Sequence, residues 1–164
     1  FYSHSGIDPM GIARILVIAA KERQASQGGS TLTMQLAKSL VNGNERSLER
    51  KVNDIATAWE IEKVKSKDEI LELYLKNAYF GWGAYGLASA AKIYFNKPIE
   101  RLTVSDAAIL ARCVRRPSYD NPFRNLERSL ANRDVVLAVM RDENMLTPAE
   151  YDHARNEEPV LNPK

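Results

Sequence analysis

Apolar residues recur at intervals of three and four along most of the chain, which is the spacing of one face of an α-helix. In "SLERKVNDIATAWEIEKV" the positions with this period are Leu48, Val52, Ile55, Trp59 and Ile61. In "NLERSLANRDVVLAVMRDEN" they are Leu126, Leu130, Val135, Leu137 and Met140. No segment alternates apolar and polar residues for long enough to predict a strand. The pattern therefore predicts an all-α fold.

Capping signals mark where the helices begin. Pro9 follows Asp8, as in a helix whose N-cap is followed by proline. At three other starts a hydroxyl residue precedes an acidic residue by three positions, as in a capping box: Ser66 with Glu69, Thr103 with Asp106, and Thr147 with Glu150. Helix-breaking residues lie between the segments, in "NGN" at 42–44, "NKP" at 96–98 and "RRPSYDNPF" at 115–123. We predict about seven helices in one domain over residues 1–164.

The segment from Ile12 to Ala20 is apolar at every position except Arg14. A helix that crosses a bilayer needs about 20 apolar residues, so this segment is too short to span a membrane. Two interpretations remain open: a helix buried in the core, or a helix whose apolar side dips into a membrane surface.

Composition narrows the classes of function. The chain has 164 residues and a net charge of +2, which does not indicate a protein that binds nucleic acid. Its apolar share of 45% and charged share of 27% are ordinary for a globular domain. Cys113 is the single cysteine, so no internal disulfide can form. The two histidines, His4 and His153, are too far apart in sequence to indicate a metal site.

Two glycine-rich stretches match phosphate-binding motifs only in part. "GWGAYG" at 81–86 has the G-x-G-x-x-G spacing, but a dinucleotide site needs a preceding strand, and "EILELYL" predicts a helix there. "GGST" at 28–31 lacks the G-K-[ST] ending of a P-loop. We therefore expect the glycines at 81–86 to let the backbone turn tightly between two helices.

The stretch "QGGSTLTMQLAKSL" at 27–40 combines a Gly-Gly turn with a polar helix face. A helix that begins near Thr31 places Thr31, Gln35 and Lys38 on one face and the leucines at 32, 36 and 40 on another, apolar face. Helix capping accounts for this arrangement, and so does a pocket for an anion.

Cations cluster just after this polar face. Arg46, Arg50 and Asp54 are spaced by four, and Lys51 is adjacent. With Lys38, these cations lie within fourteen residues of one another, where two helices are expected to meet. Solvated ion pairs one turn apart are one interpretation. The other is a site for a phosphate or pyrophosphate, which free backbone N–H groups and positive charge would suit.

Five motifs, in order and over essentially the whole chain, resemble those of the glycosyltransferase domain of peptidoglycan polymerases. This is the family of class A penicillin-binding proteins and monofunctional transglycosylases. "FYSHSGIDP" resembles the end of its first motif, E-D-x-x-F-x-x-H-x-G, and "GGSTLTMQLAKSL" its second, G-G-S-T-[IL]-T-Q-Q-L-[AV]-K-N. "ERKVND" is similar to R-K-x-x-E, "ILELYLKNAYFGWGAYGLASAAKIYF" to I-L-E-x-Y-L-N followed by the family's glycine-spaced stretch, and "RRPSYDNPF" to the fifth motif.

The resemblance implies a lysozyme-like helical fold with a small membrane-facing subdomain. It implies polymerisation of lipid II, in which an acceptor C4 hydroxyl displaces the lipid pyrophosphate of a growing strand with inversion. The implied partners are lipid II, the growing glycan strand and the membrane surface. The implied location is the extracytoplasmic face of the bacterial cell membrane, with an anchoring transmembrane helix upstream of this chain. No cofactor is required, although a divalent cation such as Mg²⁺ would fit at the pyrophosphate, and a transpeptidase domain could follow Lys164.

The family's site residues carry over by motif. The general-base glutamate would lie four positions before Phe1, so the chain begins within the first motif. Asp54 occupies the position of the second acidic residue, and it is one methylene shorter than the family's glutamate. The positions that match substrate contacts, together with Phe1, are His4, Ser30, Thr31, Gln35, Lys38, Arg46, Arg50 and Lys51. Met34 and Lys76 depart from the family's glutamine and asparagine.

Two other functions remain open. The first is a module that binds lipid II or glycan but has lost catalysis, with Asp54 and Lys76 as signs of that loss. The second is a lysozyme-like hydrolase, which would need an acid to protonate a sugar leaving group. The cation cluster argues against the hydrolase, because a pyrophosphate leaving group needs charge neutralisation more than it needs a proton.

Overall fold

The computed structural model describes residues 1–4, 6, 30–40 and 48–162, with only the backbone of 48–51. Within these limits the chain forms two compact units, Phe1–Leu75 and Lys76–Lys164. The predicted helix start at Asp8–Pro9 and the apolar segment 12–20 lie outside the described residues. The membrane-facing subdomain expected there stays a prediction.

The described part is mainly helical, with one two-stranded hairpin, which confirms the all-α prediction. The first unit contains α1 (Leu32–Leu40), α2 (Leu48–Val64) and most of α3 (Lys67–Asn77). The second unit continues with β1 (Tyr79–Gly81), β2 (Ala84–Tyr85), α4 (Leu87–Phe95), a 3₁₀ turn (Ile99–Arg101), α5 (Val104–Arg115), α6 (Leu126–Asp142) and α7 (Pro148–Asn156). None of these helices is both long enough and apolar enough to cross a membrane.

The three capping boxes predicted from sequence are confirmed. At α3 the Ser66 N–H donates to Glu69 (2.8 Å), and the Glu69 N–H donates back to the Ser66 hydroxyl (3.3 Å). The same reciprocal pair is formed by Thr103 with Asp106 at α5, and by Thr147 with Glu150 at α7. Each box satisfies two backbone N–H groups that the helix itself leaves without partners.

The core of the first unit lies where α1 packs against α2. Its buried members are Met34, Ala37 and Ala58, with Ile55 and Ile61 packed against them. The small side chains of Ala37 and Ala58, both fully buried, let the two helices approach closely. On α1, Leu36 is buried, but Leu40 is 54% exposed, so only part of the predicted leucine face contacts the core.

The apolar face predicted for α2 is only partly its buried face. Val52 and Trp59 are 63% and 52% exposed. Asp54, Ala58 and Glu62 also point inward, one on each of three successive turns, beside the predicted Ile55 and Ile61. The prediction failed at Val52 and Trp59 because the neighbouring elements, rather than side-chain polarity, select which stripe of a helix is covered.

A small antiparallel hairpin follows α3, which the sequence pattern did not predict. Tyr79 pairs with Tyr85 across β1 and β2. Gly81, Gly83 and Gly86 all have positive φ, so the tight turn expected of these glycines is confirmed. At Gly81 (φ 90°) a Cβ atom would lie 2.6 Å from the Pro117 carbonyl oxygen, so a larger residue would clash there.

The core of the second unit is built where α5, α6 and α7 meet. Leu137, Leu146, Ala108 and Ala154 are buried there, and Val136, Met140 and Tyr151 pack against them. On α6 the buried line is Ser129, Arg133 and Leu137. Leu126 and Val135 are 41% and 55% exposed, so the predicted apolar face of this helix was also partly wrong.

The Cys113 thiol is expected to resist labelling in the native protein. The side chain is fully buried, and burial raises its thiol pKa to about 12, with a smaller contribution from nearby Asp120. Only about one thiol in ten thousand would then be ionised at pH 8, and the thiolate is the reactive form. Native chain should react with Ellman's reagent far more slowly than chain unfolded in guanidinium. Equal rates in the two conditions would contradict the buried thiol.

Candidate active site

The residues of the first motif form a short segment that three helices contact. This first-motif segment comprises Phe1–His4 and Gly6. At the start of α3, the Tyr2 hydroxyl donates to the Asp68 carboxylate (2.9 Å). The Lys67 ammonium donates to the His4 carbonyl oxygen (2.5 Å) and lies 4.6 Å from the centroid of the Phe1 ring. The start of α3 therefore holds both ends of the Phe1–His4 turn.

Gly6 contacts both α1 and α2. The Thr31 hydroxyl donates to the Gly6 carbonyl oxygen (2.6 Å) and accepts the Met34 backbone N–H (3.1 Å). Thr31 thus caps α1, which confirms the capping interpretation of the stretch at 27–40. With φ at 78°, Gly6 faces α2 so closely that a Cβ atom would lie 2.9 Å from Glu62 Cγ and 3.3 Å from the Ala58 carbonyl oxygen.

A buried acid–base pair lies beneath this segment. The Lys67 ammonium is 2.7 Å from each carboxylate oxygen of Glu62. The Glu62 side chain is 7% exposed, the Lys67 side chain is 20% exposed, and the buried Thr33 hydroxyl donates to the same carboxylate (2.5 Å). The sequence analysis did not predict this pair. Glu62 lies two turns after Asp54, between apolar residues of the helical pattern, and this spacing could have indicated that both carboxylates lie on one inward face.

Asp54 lies on the inward face of α2, one turn before Ala58. It is 7% exposed, so it does not belong to the solvated surface of the helix. This is the same face that contacts Gly6 through Ala58 and Glu62. The structure thus places the predicted acidic residue and the first-motif segment on one side of α2, within the first unit.

The other predicted substrate-binding residues differ in exposure. Gln35 is exposed, and its amide accepts the Tyr74 hydroxyl (3.3 Å) and donates weakly to the Ser30 carbonyl oxygen (3.5 Å). Lys38 lies exposed in the last turn of α1. Half-buried His4 stacks edge-on to Phe1, and its Nδ1 atom is buried without a hydrogen-bond partner in the described part of the chain.

The predicted convergence of the cations stays a prediction. Arg46 lies outside the described residues, and only the backbone of Arg50 and Lys51 is described, in the first turn of α2. Of the other predicted residues, His4 belongs to the first-motif segment, Thr31 contacts it through the Gly6 carbonyl, and Gln35 contacts Ser30 and Tyr74. Among the described residues there is no group of three or more His, Cys, Asp or Glu side chains that could hold a metal by itself.

A family model described as "Transglycosylase" matches residues 1–141, which include all of the residues just described. The chain belongs to the transglycosylase family. It is 43% identical to penicillin-binding protein 1A of Escherichia coli over 157 residues, which are 96% of this chain and 18% of that protein. It is 45% identical to penicillin-binding protein 1A of Vibrio cholerae over 161 residues, which are 98% of this chain and 19% of that protein.

A solved structure supports the same conclusion for this transglycosylase domain. The crystal structure of penicillin-binding protein 1A from Haemophilus influenzae matches 80% of this chain and 16% of its own, with 34% identity and a TM-score of 0.57. The lysozyme-like helical fold expected from the motifs is thereby confirmed. The chain spans less than a fifth of the length of these relatives.

Proposed function

We propose that this domain, within the longer protein, polymerises lipid II into peptidoglycan glycan strands. The acceptor C4 hydroxyl oxygen bonds to the anomeric carbon of the growing strand, and the bond from that carbon to the pyrophosphate oxygen breaks with inversion. The hydroxyl proton passes to a general base. The observation that carries the proposal is membership of the transglycosylase family over residues 1–141.

The residue roles follow the motifs. The general base is the glutamate that the first motif places four positions before Phe1, in the longer protein. Lys38, Arg46, Arg50 and Lys51 neutralise the departing pyrophosphate, whose two phosphates gain negative charge as the glycosidic bond breaks. Asp54 orients these cations. The remaining proposed contacts to sugar and phosphate are His4, Ser30, Thr31 and Gln35.

The Thr31 hydroxyl donates to the Gly6 carbonyl and accepts the Met34 N–H, so besides its proposed substrate contact it fixes the start of α1. The polar residues of α1 then reach the substrate from a helix whose N-terminus is held against the first motif. The first unit supplies each of the described residues to which this proposal assigns a role.

A divalent cation is compatible with this site, although the chemistry does not require one. Mg²⁺ is commonly bound by one or two carboxylates together with substrate phosphate oxygens. Asp54 is the carboxylate that would hold it here, and the cation would supply further neutralisation of the pyrophosphate. The cations of the chain provide the same stabilisation without it.

The setting of the reaction follows from its substrate. Lipid II stays in the membrane through its lipid tail, so the proposal places the domain at the membrane surface, on the extracytoplasmic face of the bacterial cell. The relatives are named for penicillin binding, and this chain covers only 18% of the Escherichia coli protein. We therefore include a transpeptidase domain elsewhere in the longer protein among the proposed partners of this domain.

The test is polymerisation of labelled lipid II by the longer protein. We expect long glycan strands, and no strands from residues 1–164 alone, because the proposed base lies before Phe1. Binding of lipid II without polymerisation by the longer protein would favour the binding module instead. Cleavage of preformed glycan would favour the hydrolase. Processive synthesis by residues 1–164 alone would contradict the assignment of the base.

Replacing Lys38 by alanine is expected to weaken binding of pyrophosphate by about 1–3 kcal/mol, the usual contribution of a charged hydrogen bond. The side chain is exposed at the end of α1 and is free to reach an anion. Calorimetric titration with inorganic pyrophosphate measures the change. Lys65→Ala is the matched control, since it removes an exposed cation of the same unit that pairs with Glu69. Equal losses for both variants would show that only net charge matters.

A further inference from the structure

The proposed chemistry gives no role to a buried charged pair of the first unit. Glu62 and Lys67 have side chains only 7% and 20% exposed. Removing two charges from water is unfavourable, and a buried ion pair is often no more stabilising than apolar residues of similar volume. Stability alone is therefore a poor explanation for this pair, and its contacts indicate what else it does.

The contacts of Lys67 join two different partners. On one side its ammonium meets both carboxylate oxygens of Glu62 at 2.7 Å. On the other side it donates to the His4 carbonyl oxygen and lies over the Phe1 ring. An ammonium has three donors in a tetrahedral arrangement, so Lys67 can bridge a carboxylate and a carbonyl at the same time. An apolar side chain in its place would leave the His4 carbonyl without this donor.

Glu62 connects the same segment to the other two helices. Its carboxylate accepts the Thr33 hydroxyl of α1, and its Cγ atom leaves no room for a Cβ at Gly6. The pair therefore takes one fixed position between α1, α2 and α3. The first-motif segment lies directly against that position.

We propose that Lys67 and Glu62 are positioning residues for the first-motif segment. They fix the backbone at His4, and so they set the place of the His4 side chain and of the residues that precede Phe1 in the longer protein. This inference rests on the proposed function, because the general base belongs to those preceding residues. A displacement of about 1 Å at a reacting group can lower a rate a hundredfold.

The experiment compares variants of the full-length protein in lipid II polymerisation. Lys67→Met should lower kcat at least thirtyfold and should change KM much less, because the general base acts alone whereas His4 is one of several proposed substrate contacts. Lys67→Arg should recover part of kcat, since a guanidinium can also bridge a carboxylate and a carbonyl. Lys65→Met is the matched control. Lys65 pairs with Glu69 in the first turn of α3, but both of these side chains are exposed. Its kcat should match wild type.

A second readout does not depend on the reaction. Hydrogen exchange of the peptide that contains residues 1–6 should become faster in Lys67→Met and stay unchanged in Lys65→Met. If Lys67→Met fails to fold, the double variant Glu62→Gln/Lys67→Met decides the matter, because it leaves no buried charge unpaired. It should show the same loss of kcat and the same faster exchange.

A folded Lys67→Met or double variant with wild-type kcat would overturn the proposal, and so would unchanged exchange of the segment. A loss of kcat that Lys67→Arg does not recover at all would also contradict it. If wild-type protein polymerises no lipid II, the proposed function fails, and the exchange comparison alone then decides whether Lys67 holds the segment.

Discussion

Replacing Asp54 by asparagine is expected to lower the lipid II turnover of the longer protein at least tenfold, which is about 1.4 kcal/mol of barrier. The side chain is 7% exposed on the inward face of α2, and the same face contacts Gly6 of the first-motif segment. The proposed role of Asp54, to orient the cations that neutralise the pyrophosphate, depends on this charge. Asparagine keeps the shape and a hydrogen-bonding oxygen but loses the charge, so the melting temperature should change little.

Asp54→Glu should be tolerated, with a rate equal to wild type or above it, because the carboxylate is kept with a longer reach. The rates of wild type and both variants are compared at matched melting temperatures. Glu60→Gln is the control on the same helix, since Glu60 is an exposed carboxylate paired with Lys63. Equal rates for wild type, Asp54→Asn and Asp54→Glu would make the carboxylate structural and would favour the binding module.

Arg133→Met should reduce the free energy of unfolding by about 3–5 kcal/mol, the usual effect of breaking a buried charged network. Arg133 is 4% exposed. Its guanidinium donates to the carbonyl oxygens of Arg155 (2.5 Å) and Glu157 (2.7 Å), and to the Ser105 hydroxyl (3.1 Å). The two carbonyls lie at the end of α7, where the helix provides no donors of its own. Methionine fills similar space but leaves them without this donor.

The same helix provides a matched control. Arg133 contacts Asp134 through Nε and a terminal nitrogen at 3.0 and 2.9 Å, and Arg141 contacts Asp142 in the same way at 3.0 and 2.8 Å. The Arg141 side chain is 43% exposed, so Arg141→Met should change the free energy of unfolding far less than Arg133→Met does. Urea denaturation followed by circular dichroism measures both. Similar losses for the two variants would show that the adjacent Arg–Asp pair, and not the burial of Arg133, carries the effect.

The helix starts could be predicted because their causes are local. In each capping box a hydroxyl and a carboxylate three residues apart bond to each other's backbone, and the geometry of one helical turn suffices to bring them together. Thr103 with Asp106 and Thr147 with Glu150 needed no information from the rest of the chain. The family motifs named His4, Ser30, Thr31 and Gln35 as candidate site residues, and their common role stays a prediction.

The buried faces of the helices could not be predicted with the same success. Apolar periodicity selected Val52 and Trp59 on α2, whereas Asp54 and Glu62 turned out to be buried. A helix of mixed polarity has several possible inward stripes, and the elements packed against it select one. The hairpin was missed for a related reason. Its strands are only three and two residues long. Position 81 needs glycine because the Pro117 carbonyl, distant in sequence, leaves no room there for a side chain.

By itself, the sequence determined the helical class, the capped helix starts and the family, because each follows from bonds within a turn or from a motif of a few residues. The site residues that the motifs name stay predictions. Only the tertiary structure decided that Glu62 and Lys67 form a buried pair and that Lys67 reaches the His4 carbonyl, 63 residues away along the chain. Contacts at that separation depend on how α1, α2 and α3 pack together. No periodicity along the chain encodes the packing that places a lysine of α3 beside the backbone of the first motif.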